Sequence, residues 1–129
     1  MSGYVLDSSA LLAFLWRERG CERVEAVLAN EVVAMSAINV AEVITKAIDL
    51  GLPEEAIREM HANFDFEQIP FDSNAALMAA ALRNGTRRLG LSLGDRACLA
   101  LAKSREAIAL TADQPWRELD LGIRVECVR

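Results

Sequence analysis

Tyr4-Val5-Leu6-Asp7-Ser8-Ser9-Ala10-Leu11-Leu12-Ala13-Phe14-Leu15-Trp16 sets the reading of the whole chain. A short apolar run stops at an acid and two serines, and a strongly apolar segment follows at once. Asp and Ser side chains accept from the free N–H groups of a helix start, so Asp7 or Ser8 caps a helix that follows a short strand. The pattern recurs along the chain. Val32-Val33-Ala34-Met35 reads as a strand, and Ser36 caps a helix over 37–50 that Gly51 closes in a left-handed turn. Between these units, residues 20–30 form a helix with Val24, Val27 and Leu28 on one face. Pro53 suits the first turn of a helix reaching about residue 63, and 64–71 has the alternation of a strand. Asp72 caps a long Ala-rich helix running to about residues 84–85. Ser92-Leu93-Gly94-Asp95 opens a further helix with Leu99, Ala100 and Ala102 as core candidates. Residues 107–110 form a strand with Thr111-Ala112-Asp113 as its exit, and 124–128 the last strand.

Strands that alternate with helices imply an α/β fold, a mostly parallel central sheet flanked by helices. With 129 residues, 53% of them hydrophobic, one domain spanning 1–129 has ample material for a core. Aromatics make up only 5%, so Ala, Leu, Val and Ile must supply the packing. No apolar run is long enough to cross a membrane, and the opening residues meet an acid at once without a basic leader. The expected location is therefore the cytoplasm. Cys21, Cys98 and Cys127 are widely separated and odd in number, which reads as small buried hydrophobes and not as a disulfide or zinc framework. The single histidine, His61, lies among polar residues on a helix surface and cannot build a multi-histidine metal site. A net charge of −5 argues against a basic nucleic-acid clamp, although acids gathered around a cation would inflate that count.

Four acids then stand out: Asp7, Glu42, Asp95 and Asp113. Each has an ordinary explanation. Asp7 is a helix cap worth roughly 0.5–2 kcal/mol. Glu42 can pair with Lys46 one turn on, Asp95 suits the positive end of its helix, and Asp113 is a turn aspartate. Ser92 or Gly94 can cap the helix of Asp95, so the acid is not needed there. Yet Asp7 and Asp113 sit beyond carboxyl ends of strands, where sheets of this kind bind ligands. Asn39 and Glu42 share one helix face just above the Ser36 cap. Carboxylates that converge repel unless a cation or protons compensate. Magnesium or manganese suits an all-oxygen site of this kind, and phosphodiester hydrolysis is the reaction that such a site serves. Hydroxyls of Ser8, Ser9, Ser36 and Thr111 could orient ligands or phosphate.

The same residues carry a family resemblance. Val5-Leu6-Asp7-Ser8-Ser9-Ala10-Leu11-Leu12 resembles the opening of a PIN domain, and Ser36-Ala37-Ile38-Asn39-Val40-Ala41-Glu42-Val43 resembles the second acidic motif of that family. The third, Leu91-Ser92-Leu93-Gly94-Asp95-Arg96-Ala97-Cys98-Leu99-Ala100-Leu101-Ala102, is the closest in pattern, and Leu110-Thr111-Ala112-Asp113 followed by Trp116 resembles the last. Order and spacing over essentially the whole chain are similar to VapC-type ribonuclease toxins. The resemblance implies a magnesium- or manganese-dependent endoribonuclease with Asp7, Glu42, Asp95 and Asp113 as the catalytic, metal-holding quartet. It implies Ser8, Asn39 and Thr111 as supporting polar groups. It also implies an RNA substrate, a VapB-type antitoxin, a homodimer and a higher toxin–antitoxin assembly built on it. An acidic pocket of this kind would accept an arginine from the antitoxin.

Arg96, next to a proposed ligand, is a candidate phosphate contact or an ion-pair partner of a neighbouring acid; Arg83, Arg87 and Arg88 fit a solvated helix end. A haloacid-dehalogenase-like phosphatase would need a second acid at position 9, where Ser9 stands. A receiver domain would need paired early acids and a later lysine. The remaining alternatives are a non-catalytic PIN-like binding module, expected to lose an acid, and a metal nuclease directed at DNA.

Overall fold

Five parallel strands form the sheet: β1 (Tyr4–Leu6), β2 (Val33–Ser36), β3 (Glu67–Ile69), β4 (Ile108–Thr111) and β5 (Val125–Cys127). They are ordered β3-β2-β1-β4-β5. The chain builds outward from β1 to one edge, then returns to its other side, which makes the β1–β4 boundary the point where strand order reverses. In parallel sheets the crevice at the carboxyl ends of such a pair is where ligands bind. Asp7 follows β1 directly, and β4 ends at Thr111, two residues before Asp113. The computed structural model describes residues 3–129, so Met1 and Ser2, where the reading against a leader begins, lie outside the described residues.

The helices are α1 (Ser8–Leu15), α2 (Cys21–Asn30), α3 (Ala37–Asp49), α4 (Glu54–Ala62), α5 (Ser73–Ala81), α6 (Arg83–Thr86) and α7 (Leu93–Arg105). Side chains alternate across a strand, so neighbouring residues of β1 serve different layers. Val5 joins Cys98, Leu99, Ala102, Ala109 and Trp116 in one buried cluster. Leu6 joins Leu11, Val24, Met35, Val43 and Leu110 in the other. Leu6 is fully buried, which contributes roughly 1.5–3 kcal/mol. Two apolar layers thus clamp β1 and fix the direction in which its last residue leads into Asp7.

Most boundaries match the reading of the sequence. The Asp7, Ser36, Asp72 and Ser92 side chains all cap their helices, and Gly51 follows α3 with φ +89°. Three expectations need correction. Val32 is 59% exposed and precedes β2, which instead runs on to Ser36. Of the span 64–71 only Glu67–Ile69 pairs with β2; Phe64 and Phe66 stack at 5.2 Å and pack on the Leu6 layer. Their rings do more by covering apolar surface than by lengthening an edge strand. The long helix expected from 72 breaks after Ala81. The Thr86 hydroxyl bonds back to the Leu82 carbonyl at 2.8 Å, and Leu121 approaches Gly85 so closely that a Cβ there would lie 2.6 Å from its Cδ2.

His61 is exposed with a ring nitrogen 3.1 Å from Gln68 Oε1, as expected of a surface histidine. All three cysteines are free, Cys21 and Cys98 buried and Cys127 half-buried. No helix among the described residues is long and apolar enough to cross a membrane.

Candidate metal centre

Asp7 is the most deeply set of the four acids, 3% exposed at the carboxyl end of the central strand. Every partner it has is a donor. Ala10 N–H reaches Oδ1 at 2.8 Å, the Thr111 hydroxyl reaches Oδ2 at 2.7 Å, and the Ser9 hydroxyl lies 2.8 and 2.9 Å from the two oxygens. The second tier is equally ordered. Ser9 Oγ accepts from Ala112 N–H at 2.9 Å, and Thr111 Oγ1 accepts from Asp113 N–H at 3.0 Å. The two exits, after β1 and after β4, are therefore stitched together through one carboxylate and two hydroxyls. Burial pushes the Asp7 carboxyl up to about 6, against the pull of the Thr111, Ala10 and Ser9 hydrogen bonds; the Asp95 charge adds to the rise. The cap expected of Asp7 is real, and the burial and extra donors go well beyond what capping needs.

Glu42 is held differently. It is exposed, and its Oε1 accepts from the Ser8 hydroxyl and, at 3.0 Å, from Asn39 Nδ2. Asn39, 1% exposed, also donates to the Gly94 carbonyl at 3.0 Å and so links α3 to the first turn of α7. Its own Oδ1 is buried without a hydrogen-bond partner. The alternative pairing of Glu42 with Lys46 is not among the ion pairs of the described residues.

Asp95 corrects the expectation that it is free of capping duty. Its Oδ2 accepts from Ser92 N–H at 3.0 Å while Ser92 Oγ accepts from Asp95 N–H at 3.2 Å, a reciprocal capping box. Asp113 is half-buried, its carboxyl raised by burial and by the nearby Asp95 charge. Arg96 forms no ion pair among the described residues; its Nη1 donates to the Ala79 carbonyl of α5 at 3.2 Å and its Nε is buried without a partner. Ser36 serves as the α3 cap, accepting from Ile38 N–H at 3.3 Å.

The acids feel one another across the crevice. Asp95 raises both Asp7 and Asp113, and the charges of Asp7, Asp95 and Glu42 all add to the burial that raises the Cys98 thiol beneath them. As placed, no group of three acidic, cysteine or histidine side chains among the described residues stands close enough to hold a metal ion. Each carboxylate is instead occupied with its own hydrogen bonds. The donor set nevertheless fits a hard divalent cation. All candidate ligands are oxygens, and no described ion pair gives any of the four acids a basic partner. Gly94 is the residue that sequence reasoning passed over. Its only sequence signal is a glycine inside the first turn of a helix, next to an acid.

Solved structures with the same fold include a VapBC complex bound to DNA from Salmonella typhimurium (22% identity, all of each chain covered, TM-score 0.74). A VapBC-5 toxin–antitoxin system from Mycobacterium tuberculosis is 27% identical over 99% of this chain and 98% of its own, with TM-score 0.60. The sarcin–ricin loop cleaving toxin VapC20 of the same organism is 12% identical over 94% of this chain and 99% of its own, with TM-score 0.70. No curated protein matches the chain. The family model of the PIN domain matches residues 4–121, nearly the whole length and a span in which all four acids fall. The chain belongs to the PIN domain family.

Proposed function

We propose that this protein is a divalent-metal-dependent endoribonuclease, the toxin of a VapBC-type pair acting in the cytoplasm. The observation that carries the reading is the buried, hydroxyl-clamped Asp7 at the reversal point of the sheet, while none of the four acids has a basic partner among the described ion pairs. Asp7, Glu42, Asp95 and Asp113 would hold magnesium or manganese. The bound cation would supply positive charge against the scissile phosphate and ease deprotonation of water. The chain's own polar groups do the positioning. Ser9 and Thr111 fix both oxygens of Asp7, and Ser8 and Asn39 fix Glu42. With Nη1 on the Ala79 carbonyl of α5 and Nε buried, Arg96 would have only Nη2 for a phosphate contact. Selection of RNA depends on contacts to the 2′-hydroxyl.

A VapB-type antitoxin, a homodimer and a larger assembly of the two chains belong to the same reading. It is supported by the fold shared with chains of VapBC complexes and with a toxin named for cleaving the sarcin–ricin loop. Incubating purified protein with a mixed pool of tRNA and ribosomal RNA tests it, in magnesium, manganese and EDTA, beside Asp95→Asn. Discrete fragments that need metal and vanish in the variant are expected. Fragments that persist in EDTA would remove the metal mechanism, and no fragments in any lane would favour a binding module.

A further inference from the structure

We infer that Gly94 is a positioning residue for Glu42: the missing side chain at 94 is the space in which the Glu42 carboxylate rests. A Cβ built on Gly94 would lie 2.6 Å from Glu42 Cδ and closer still to both carboxylate oxygens, far inside contact distance. Both groups are bound to one amide. Asn39 Nδ2 reaches the Gly94 carbonyl and Glu42 Oε1, each at 3.0 Å, from a side chain only 1% exposed. The carboxylate is thus pinned across α3 and α7 by Asn39 and Ser8 on one side and by the bare Gly94 Cα on the other.

The consequence separates folding from function. Gly94 is buried within α7 and is not among the glycines of positive φ, so alanine suits its backbone and improves on glycine as a helix former. What the new methyl group meets is the far end of a flexible side chain, which can swing away. Gly94→Ala therefore moves a carboxylate and leaves the core intact. The functional meaning of that displacement rests on the nuclease reading above, whereas the placement of Glu42 does not.

The test uses full-length protein. Without metal, the side-chain carboxyl carbon resonance of Glu42 is compared between wild type and Gly94→Ala, alongside the thermal midpoint. A shifted resonance with an unchanged or raised midpoint is expected; an unmoved resonance overturns the inference. With manganese, calorimetry should show affinity about tenfold weaker or more in Gly94→Ala, the scale of losing a ligand-orienting contact. Glu42→Asp shortens the side chain by one methylene. It should weaken binding in the wild-type background and restore part of it in the Gly94→Ala background, a reversal of sign that general destabilisation does not produce. A double variant no better than Gly94→Ala contradicts the inference. Wild-type protein that binds no manganese sinks the nuclease reading instead, and the resonance then decides Gly94 by itself.

Discussion

The two ends of the sheet treat their acids differently. At the amino end, where β3 starts and α7 finishes, Arg105 pairs with Glu67 at 3.1 Å and Arg124 donates to the Glu106 carbonyl at 3.1 Å. At the carboxyl end, Asp7, Asp95, Asp113 and Glu42 have no basic partner among the described ion pairs. The paired groups are exposed and stabilise little, since surface ion pairs contribute about 0–1 kcal/mol. The unpaired acids include one that is buried and held above its ordinary range, which costs folding energy. Other charges at the carboxyl end do pair, as Arg88 and Glu118 at 3.7 Å, and the proposed cation site rests on the four acids that do not.

The largest effect should come from breaking the acidic end. Asp95→Asn removes a charge while its amide oxygen can still accept from Ser92 N–H, so the capping box survives. Cleavage should fall about a thousandfold, typical of losing a group that stabilises developing charge, with the thermal midpoint unchanged or higher. A gel-based rate assay and a melting curve check both halves. An active variant would show that Asp95 serves the helix alone.

Next comes pH. The folded-state value of Asp7 is raised from 3.8 to about 6, so folding favours its protonated form. The metal-free protein should therefore gain stability as pH falls through 6, up to about 3 kcal/mol by pH 4 for a shift of this size. Glu126 shifts the other way, lowered by Arg23, so its contribution disappears at still lower pH. Denaturant midpoints should keep rising from pH 7 to about pH 4, and Asp7→Asn should flatten the rise between about 7 and 5. A wild-type midpoint that falls steadily from pH 7 would contradict the burial account of Asp7.

Smaller effects sharpen the contrast. Thr111→Val removes the donor to Asp7 and the acceptor of Asp113 N–H in a fully buried position. It should cost about 1–3 kcal/mol in equilibrium unfolding at neutral pH. Arg105→Ala breaks the ion pair at the other end and should cost under about 1 kcal/mol without changing cleavage, because both partners are substantially exposed. If the two variants proved equally destabilising, the two ends would not differ as described.

Local chemistry explains which features the sequence made legible. Asp7, Ser36, Asp72 and Ser92 announce their helices because a cap needs only its own turn. The parallel sheet follows from alternation of elements, and the grouping of Asp7 with Asp113 from their positions after strands. Tertiary choices were hidden. Phe64 and Phe66 look like strand residues but lie over an apolar layer, and just past the break after Ala81 Leu121 closes on Gly85 from a distant part of the chain. The reciprocal bond from Asp95 to Ser92 was within reach of the sequence, since the spacing fits a capping box with Asp in place of the usual Glu. Gly94 was not, because only the packing of α3 against α7 sets Glu42 over it.

Calorimetric titration of manganese into wild type at about pH 6, where Asp7 is about half protonated, in two buffers of different ionisation enthalpy, tests the cation site most directly. Binding at Asp7 should displace its residual proton, given a value of about 6, so the heat should depend on buffer, and Asp95→Asn should bind far more weakly. Absence of heat and of any rise in melting temperature at millimolar manganese would contradict the account: the four acids would then hold no cation.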